Sequence, residues 1–212
     1  MLATKKIPAT VAERLQLPDT PQFFPATEEE YGQLLGTIPY PLEYIDDKIV
    51  ALSFATELHE EIVIAIAHFL YGLKKIDPAF RIMGSNHLVH TAGRQGNFQP
   101  DILVVRGSSQ VYKLGEVKSA VRNPFLVVEV HSAGTRPYDL SVKLPVYKAN
   151  PSLEYILYVE QDQPLATLHT RIPGTTRWRS EDFTAEEGRF EVAGLPLNVN
   201  EFYPPTPLIT KK

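Results

Sequence analysis

The 212-residue chain contains no cysteine, which excludes a disulfide scaffold and a zinc site with cysteine ligands. No apolar run approaches the roughly 18 residues that a membrane helix needs, and the N-terminal residues lack the apolar core of a secretory signal. The net charge of −4 does not indicate a protein that coats nucleic acid with an overall basic surface. We therefore expect a cytoplasmic protein that does not enter a membrane.

The composition is that of an ordinary globular protein, with 43% hydrophobic and 22% charged residues. A length of 212 residues suits one domain with a substantial core and is short for two. Residues 1–26 are rich in proline and threonine and predict an extended N-terminal arm, and the proline-rich residues 201–212 predict a tail. We expect a single domain over residues 27–200.

Apolar periodicity predicts the order of the elements in that domain. A capping-box pattern at Thr27 opens a short helix, a hairpin follows over residues 42–54, and helical spacing continues from Thr56 to Leu73. The remaining predicted elements are strands at residues 80–90, 102–105, 125–130 and 153–159, a loop at 91–98, a loop or edge strand at 106–123, a helix at 137–149 and antiparallel strands at 164–193. This order predicts an α/β or α+β fold with a mixed central sheet flanked by helices, an extra N-terminal hairpin and C-terminal antiparallel strands.

Two acidic residues lie in apolar strands, where a charge is costly unless it is paired or binds a metal. Asp101 precedes the apolar residues 102–105, and Glu129 follows four apolar residues of the predicted strand 125–130. Such unbroken apolar runs are typical of strands near the middle of a sheet. A hard divalent cation, Mg²⁺ or Mn²⁺, prefers oxygen ligands and would keep two neighbouring carboxylates ionised. It could then polarise a phosphoryl oxygen and lower the pKa of a bound water.

Lys143 is the candidate for the group that stabilises charge on a phosphate and orients the attacking water. Asp139, Lys143 and Tyr147 recur at intervals of four residues, so a helix would place them on one stripe, although the spacing also suits a surface ion pair. Pro145 is expected to kink or interrupt that helix. Residues 94–148 carry a net charge of +4 against −8 for the rest, which would suit a polyanionic substrate.

Six segments occur in a specific order and spacing: LEYIDDKIV (42–50), LHEEIVIAI (58–66), QPDILVV (99–105), PFLVVEVHS (124–132), D-x-x-x-K-x-x-x-Y (139–147) and LEYILYV (153–159). This pattern, over about residues 27–175, resembles the Uma-type family of putative restriction endonucleases in the PD-(D/E)XK nuclease superfamily. The resemblance implies a restriction-endonuclease-like core and a Mg²⁺-dependent endonuclease acting on DNA. It also implies Asp101 and Glu129 as metal ligands and a catalytic lysine that has moved from the strand to the helix, at Lys143.

The chain departs from the superfamily pattern at one strand position and offers a rival motif. His131 stands two residues after Glu129, where the superfamily usually has lysine. The string Glu116-Val117-Lys118 fits the E-x-K motif literally and ranks as the alternative, although its neighbours do not form a buried strand. Residues with possible supporting roles at the metal, the lysine or the substrate are His59, Glu43, Ser132, His131 and Asp139.

The leading hypothesis is a DNA endonuclease, and a homodimer would be the simplest way to cut both strands of a duplex. An alternative is a catalytically weak or inactive nuclease-fold protein that acts as a nucleic-acid-binding or assembly module, which His131 and Pro145 favour. A purely structural alternative places Asp101 and Glu129 in a buried ion-pair network. It predicts that divalent cations do not stabilise the fold.

Overall fold

The computed structural model describes residues 6–91, 96–115 and 118–204, whose strands form two mixed β-sheets and one separate hairpin. The helices are α1 (Val11–Leu15), α2 (Glu28–Leu34), α3 (Glu57–Leu70), α4 (Leu73–Ile76), α5 (Arg136–Tyr138) and α6 (Leu144–Ala149), with a π-helical turn at Asp139–Lys143 and a 3₁₀ turn at Val199–Phe202. The strands are β1 (Gln22–Pro25), β2 (Leu42–Ile45), β3 (Lys48–Ala51), β4 (Phe80–Gly84), β5 (Leu88–Thr91), β6 (Gly96–Phe98), β7 (Ile102–Arg106), β8 (Val111–Leu114), β9 (Lys118–Val121), β10 (Leu126–His131), β11 (Tyr155–Glu160), β12 (Leu165–Arg171), β13 (Trp178–Thr184), β14 (Arg189–Val192) and β15 (Leu195–Asn198).

The smaller of the two mixed sheets carries the strands in which the acidic residues were predicted. Its order is β13-β12-β11-β10-β7-β4, with β10 and β11 parallel and the other neighbours antiparallel. A parallel pair needs a crossover, and here the helical segment of α5, the π turn and α6 makes it. Both β7 and β10 are paired on their two sides and buried, as their unbroken apolar runs predicted.

Alternation along β7 and β10 divides the core between the two faces of this sheet. On one face, Val128 and Ile102 pack in a cluster with Ile62 and Ile66 of α3. On the opposite face, the alternate apolar residues of both strands join a second cluster that includes Tyr147 of α6. Because side chains alternate with a period of two, Asp101 and Glu129 are directed to this second face.

The larger sheet joins strands from predicted strand segments with β1, from the predicted arm, and β6, from the predicted loop 91–98. Its order is β1-β3-β2-β6-β5-β9-β8, and the predicted N-terminal hairpin is β2–β3. Residues predicted as an extended arm form α1 and the strand β1, which pairs with β3. The buried Arg14 side chain fixes this segment by donating hydrogen bonds from Nε to the Leu52 carbonyl oxygen at 2.9 Å and from Nη1 to the Pro18 carbonyl oxygen at 3.1 Å. The predicted mixed α+β architecture is confirmed, and it contains two mixed sheets instead of one.

Two local predictions were wrong in detail, and a third was left open between two alternatives. The predicted strand 80–90 is two strands, β4 and β5, which belong to different sheets and are separated by a turn after Gly84. Within the predicted loop 91–98, Gly96–Phe98 is a strand, and residues 92–95 lie outside the described residues. The polar region 106–123, predicted as a loop or an edge strand, contains the edge strand β8, which pairs with β9 in antiparallel orientation. Strands of three or four residues, such as β6, β8 and β9, are too short to show a clear apolar run or alternation.

The C-terminal strands extend the smaller sheet and then cover α3. β12 and β13 are antiparallel, as predicted, while β14 and β15 form a separate two-stranded hairpin. The 3₁₀ turn that follows buries Phe202 against Phe69 of α3, with ring centroids 6.2 Å apart. Residues 205–212 of the predicted tail lie outside the described residues. No helix in the described part of the chain is long and apolar enough to span a membrane.

The helical crossover accommodates Pro145 through the π turn that precedes it. The Leu144 N–H donates to the Asp139 carbonyl oxygen, five residues back, and Pro145 follows in the first turn of α6. Proline has no N–H to donate, so a widened turn before it lets the helix continue through residue 149. Lys143 is the last residue of the widened turn, and its side chain is buried beneath the helix.

Candidate active site

A cleft of about 390 Å³ collects most of the predicted site residues. Its walls include Asp101 immediately before β7, Glu129 on β10, Lys143 on the π turn and His59 in the first turn of α3. Among the described residues, one lysine and six acidic residues line this cleft: Asp19, Glu60, Asp101, Glu129, Asp139 and Asp162. The cleft is therefore acidic, which suits cations better than it suits a bare phosphate.

The strand register brings Asp101 and Glu129 side by side. Val128 pairs with Ile102 in the antiparallel β10–β7 ladder, so one further step places Glu129 opposite Asp101. Residues opposite each other in such a ladder have Cβ atoms about 5 Å apart. The Val130 N–H also donates to Asp101 Oδ2 at 2.7 Å, which fixes one oxygen of that carboxylate against β10. The two acids are thus neighbours on one face of the sheet.

Glu129 is only 4% exposed and is held by two groups of the helical crossover. The Tyr147 hydroxyl donates to Glu129 Oε1 at 2.7 Å, and Lys143 Nζ lies 3.2 Å from both carboxylate oxygens. Burial raises the pKa of the Glu129 carboxyl well above its usual range; Lys143 opposes this shift, and the charges of Asp139 and Asp101 add to it. Proton release from Glu129 is therefore easier when a further cation is present.

Lys143 lies within reach of three buried carboxylates. Its Nζ is 3.0 Å from Glu43 Oε1, 3.2 Å from Glu129 Oε1 and 3.4 Å from Asp139 Oδ1. Burial by itself would lower the pKa of Lys143, but these carboxylates outweigh it and raise the pKa well above its usual value. The side chain is accordingly an ammonium ion at neutral pH, with the three hydrogen-bond donors of that group.

Glu43 reaches this cluster from strand β2 of the larger sheet. Its side chain is fully buried and accepts hydrogen bonds from the Gln99 N–H at 2.8 Å and the Tyr138 hydroxyl at 2.8 Å. Burial raises the pKa of the Glu43 carboxyl, and the neighbouring Lys143 opposes that rise. Glu43 was predicted as a supporting residue. Its contact with Lys143 links β2 of the larger sheet to the helical crossover of the smaller sheet.

His59 contacts the other acid of the pair. Its Nε2 lies 3.1 Å from Asp101 Oδ1, and its backbone N–H donates to the helix-capping hydroxyl of Thr56 at 3.1 Å. Burial lowers the pKa of His59, but the hydrogen bond to Asp101 and the charge of that carboxylate raise it above its usual value overall. His59 therefore orients Asp101 from the first turn of α3.

His131 and Ser132 take different positions after Glu129. The His131 ring does not line the cleft: it is 2% exposed, its Nε2 is 3.1 Å from Glu160 Oε1, and its Nδ1 is 3.7 Å from Asp139 Oδ2. Ser132 lines the cleft, and its backbone N–H donates to Thr135 Oγ1 at 3.2 Å. The His131 ring therefore lies behind Asp139, and Lys143 is the positively charged side chain on the cleft side.

The rival motif lies elsewhere. Lys118 is exposed on β9 of the larger sheet and lines a second groove beside Leu34. Glu116 lies outside the described residues. The lysine that contacts Glu129 is Lys143.

The residues at the cleft fit a hard divalent cation by their chemistry and their charge. Asp101, Glu129 and Asp139 offer carboxylate oxygens, the donors that Mg²⁺ and Mn²⁺ prefer. Around Lys143, three buried carboxylates surround one ammonium, and a bound cation would offset the excess negative charge. Within the described ranges, no three His, Asp or Glu side chains are already arranged as a metal-binding cluster. A cation at Glu129 would compete with Lys143 for the two carboxylate oxygens, each 3.2 Å from Nζ.

Comparisons with known proteins match most of the chain. The family model Uma2, described as a putative restriction endonuclease, matches residues 28–200. The curated "Uncharacterized protein sll1609" of Synechocystis sp. (strain ATCC 27184 / PCC 6803 / Kazusa) is 24% identical over 171 residues, which cover 81% of this chain and 94% of that protein. The crystal structure of a putative nuclease belonging to DUF820 from Anabaena variabilis ATCC 29413 superposes with a TM-score of 0.60 at 18% identity, covering 92% of this chain and 97% of that chain. This likeness confirms the predicted restriction-endonuclease-like fold.

Proposed function

Because the chain belongs to the Uma2 family of putative restriction endonucleases, we propose that it is a Mg²⁺-dependent or Mn²⁺-dependent endonuclease that hydrolyses DNA phosphodiester bonds. The family and the fold support a nuclease. The observation that carries the finer proposal is the pair Asp101 and Glu129, opposite each other at an open cleft with the Lys143 ammonium 3.2 Å from Glu129.

Asp101 and Glu129 are the residues that would hold the cation. When bound, such a cation acts as a Lewis acid toward a phosphoryl oxygen and favours deprotonation of water at neutral pH. Asp101 is suited to this because the Val130 N–H and His59 fix its orientation before any ligand arrives. A ligand held in place by surrounding hydrogen bonds loses little conformational entropy on binding.

Lys143 supplies the positive charge that belongs to the protein itself. Its ammonium lines the cleft beside Glu129, where it would donate a hydrogen bond to a phosphate oxygen as negative charge develops there. The surrounding carboxylates keep it protonated, so it acts as a hydrogen-bond donor and a charge, and it does not act as a general base. We assign it the role of stabilising the transition state and helping to orient the attacking water.

DNA as the substrate and a homodimer as the assembly are parts of the proposal. The net charge of +4 over residues 94–148, against an acidic remainder, supports a polyanionic substrate. Two copies related by a two-fold axis would bring two clefts to the two strands of a duplex. Light scattering with and without a short DNA duplex measures the assembly, and a monomer under both conditions would contradict the dimer.

Nicking of supercoiled plasmid tests the proposed activity. The wild-type protein is expected to convert supercoiled DNA to open circles and linear DNA with Mg²⁺ or Mn²⁺, and to stop when EDTA is added. Asp101→Asn, which keeps the side-chain size but removes the charge, is the matched variant and should be inactive. Cation-independent nicking, or equal rates in the two proteins, would contradict the proposal.

One observation favours a second candidate function, a nucleic-acid-binding or assembly module with weak or no catalysis. Both oxygens of Glu129 are within hydrogen-bond distance of Lys143, so the cation must compete with an internal ion pair. His131 and Pro145 do not add to this case, because His131 lies behind Asp139 and Pro145 leaves Lys143 directed at Glu129. DNA binding by gel shift without cleavage in either cation would favour the module.

A further inference from the structure

We propose that Glu43 is a positioning residue that retains the Lys143 ammonium at the cleft when Glu129 turns from the lysine to a divalent cation. The inference rests on the proposed function, because it assumes that Glu129 binds the cation. It adds that Lys143 is the internal cation with which the metal ion competes. It also gives a role to the larger sheet, whose strand β2 supplies Glu43.

The three carboxylates that contact Lys143 differ in their access to the cleft, because Glu129 and Asp139 line it and Glu43 does not. One contact, to Glu129 at 3.2 Å, involves a residue that lines the cleft and is the proposed ligand. Another, to Glu43 at 3.0 Å, involves a carboxylate that does not line the cleft and is fully buried. Glu43 can therefore hold the ammonium but is not exposed to a cation that enters from the cleft.

Glu43 is itself held rigidly, which a positioning residue requires. Oε1 accepts the Gln99 N–H at 2.8 Å, and Oε2 accepts the Tyr138 hydroxyl at 2.8 Å. Gln99 lies two residues before Asp101, so the same loop fixes both Glu43 and the start of β7. Tyr138 is the last residue of α5 and directly precedes the π turn that carries Lys143. The carboxylate is thus tied to both sides of the site.

A fully buried acid costs stability unless it is paired, so the lysine is the reason that Glu43 can be tolerated as a carboxylate. In turn, Glu43 affects where Lys143 lies when a cation binds. If Glu129 were the main partner of Lys143, cation binding would leave the ammonium free to move away from the cleft. With Glu43 at 3.0 Å and Asp139 at 3.4 Å, the ammonium keeps two partners after Glu129 has turned.

A double-mutant cycle with Mn²⁺ as the probe tests this inference. The dissociation constant of Mn²⁺ is measured by calorimetry for the wild type, Glu43→Gln, Lys143→Met and the double variant. Lys143→Met should bind Mn²⁺ more tightly, because the competing internal cation is gone. Glu43→Gln should bind about tenfold more weakly, because Lys143 then depends more on Glu129, and the loss should shrink to less than about threefold in the Lys143→Met background.

Equal weakening by Glu43→Gln in both backgrounds would overturn the inference, since Glu43 would then act on the cation directly. Glu160→Gln is the matched control for lost charge, because the ion pairs of Glu160 are with His131 and Arg136. It should change Mn²⁺ affinity by less than about threefold. A loss as large as that of Glu43→Gln would show a general electrostatic effect and would also overturn the inference.

Tyr138→Phe keeps the inference testable if Lys143→Met does not fold. It removes the hydroxyl that orients Glu43 without changing any charge, so it should weaken Mn²⁺ binding in the same direction by about threefold. Unchanged affinity would overturn the inference. Failure of the proposed function gives a different result: the wild type and Glu129→Gln would bind Mn²⁺ equally, or neither would bind it, and the inference would fall with it.

Discussion

Replacing Lys143 with methionine is the perturbation whose size follows most directly from the structure. Methionine fills most of the same space but leaves Glu43, Glu129 and Asp139 without the ammonium that lies within 3.4 Å of each. Removing one partner from a buried ion pair typically costs about 3–5 kcal/mol, because the remaining charge is left uncompensated. That is a large part of the roughly 5–15 kcal/mol by which a domain is stable.

The stability lost in Lys143→Met should depend on pH, and the pKa values of the neighbouring carboxyl groups determine the direction of that dependence. Burial already raises the pKa values of Glu129 and Glu43 in the wild type, and loss of the ammonium raises them further. A carboxyl whose pKa is higher in the folded than in the unfolded state favours folding at low pH. Its contribution is lost as pH rises through the folded-state pKa. The deficit of Lys143→Met should therefore be smallest near pH 5 and grow towards pH 8.

Urea unfolding in EDTA at several pH values between 5 and 8 measures this deficit. Lys148→Met is the matched control, because Lys148 lies on the same helical segment, is half-buried and is not part of the carboxylate cluster. The control should lose less than about 1 kcal/mol at every pH. Equal losses in the two variants, or a Lys143→Met deficit that does not change with pH, would refute the account of the cluster.

Three further predictions concern the metal, the acid stability and the N-terminal segment. Mn²⁺ at about 100 times its dissociation constant should stabilise the wild type by about 2.7 kcal/mol and raise its Tm by several degrees, whereas the Tm of Asp101→Asn should not change. An unchanged Tm in the wild type would favour the structural ion-pair network. Burial lowers the pKa of His169 from 6.5 to about 4, so the folded state binds a proton at this site less readily than the unfolded state does. The free energy of unfolding should therefore fall by about 3 kcal/mol as pH decreases from 6.5 towards 4. In urea unfolding, His169→Gln should remove this loss of stability at low pH, whereas the control His87→Gln, at an exposed position, should keep it. An equal dependence of stability on pH in the two variants would contradict the prediction. Arg14→Met should cost about 3 kcal/mol in the same assay, because several backbone carbonyls lose a charged donor; a loss below about 1 kcal/mol would contradict this.

The acidic pair could be predicted because an ionisable residue in an unbroken apolar strand is rare and costly. The runs that contain Asp101 and Glu129 are the interior strands β7 and β10, and their period of two places both acids on one face. The stripe of Asp139, Lys143 and Tyr147 was also predictable, and the structure places Lys143 and Tyr147 on Glu129. Tyr147 itself was not predicted as a site residue.

The larger sheet could not be predicted, because its pairings join segments that are distant along the chain. β1 pairs with β3, and β5 lies parallel to β9, across loops whose composition gives no register. Glu43 carries a similar signal in the sequence, because it is an acid within the fully buried strand β2. The surroundings of an acid therefore indicated the site better than the literal E-x-K string at Lys118, which lies exposed on another strand.

The rate of Mn²⁺-dependent plasmid nicking by Glu129→Gln, relative to the wild type, tests the central claim most directly. Glutamine keeps the shape of the side chain and an acceptor for Tyr147 and Lys143, but it removes the charge that would hold the cation. Loss of such an electrostatic contribution to a transition state typically costs about 100-fold or more in rate. A fall of about that size in a variant that remains folded is the predicted result. A rate equal to that of the wild type would contradict the assignment of the Asp101 and Glu129 pair as the catalytic centre.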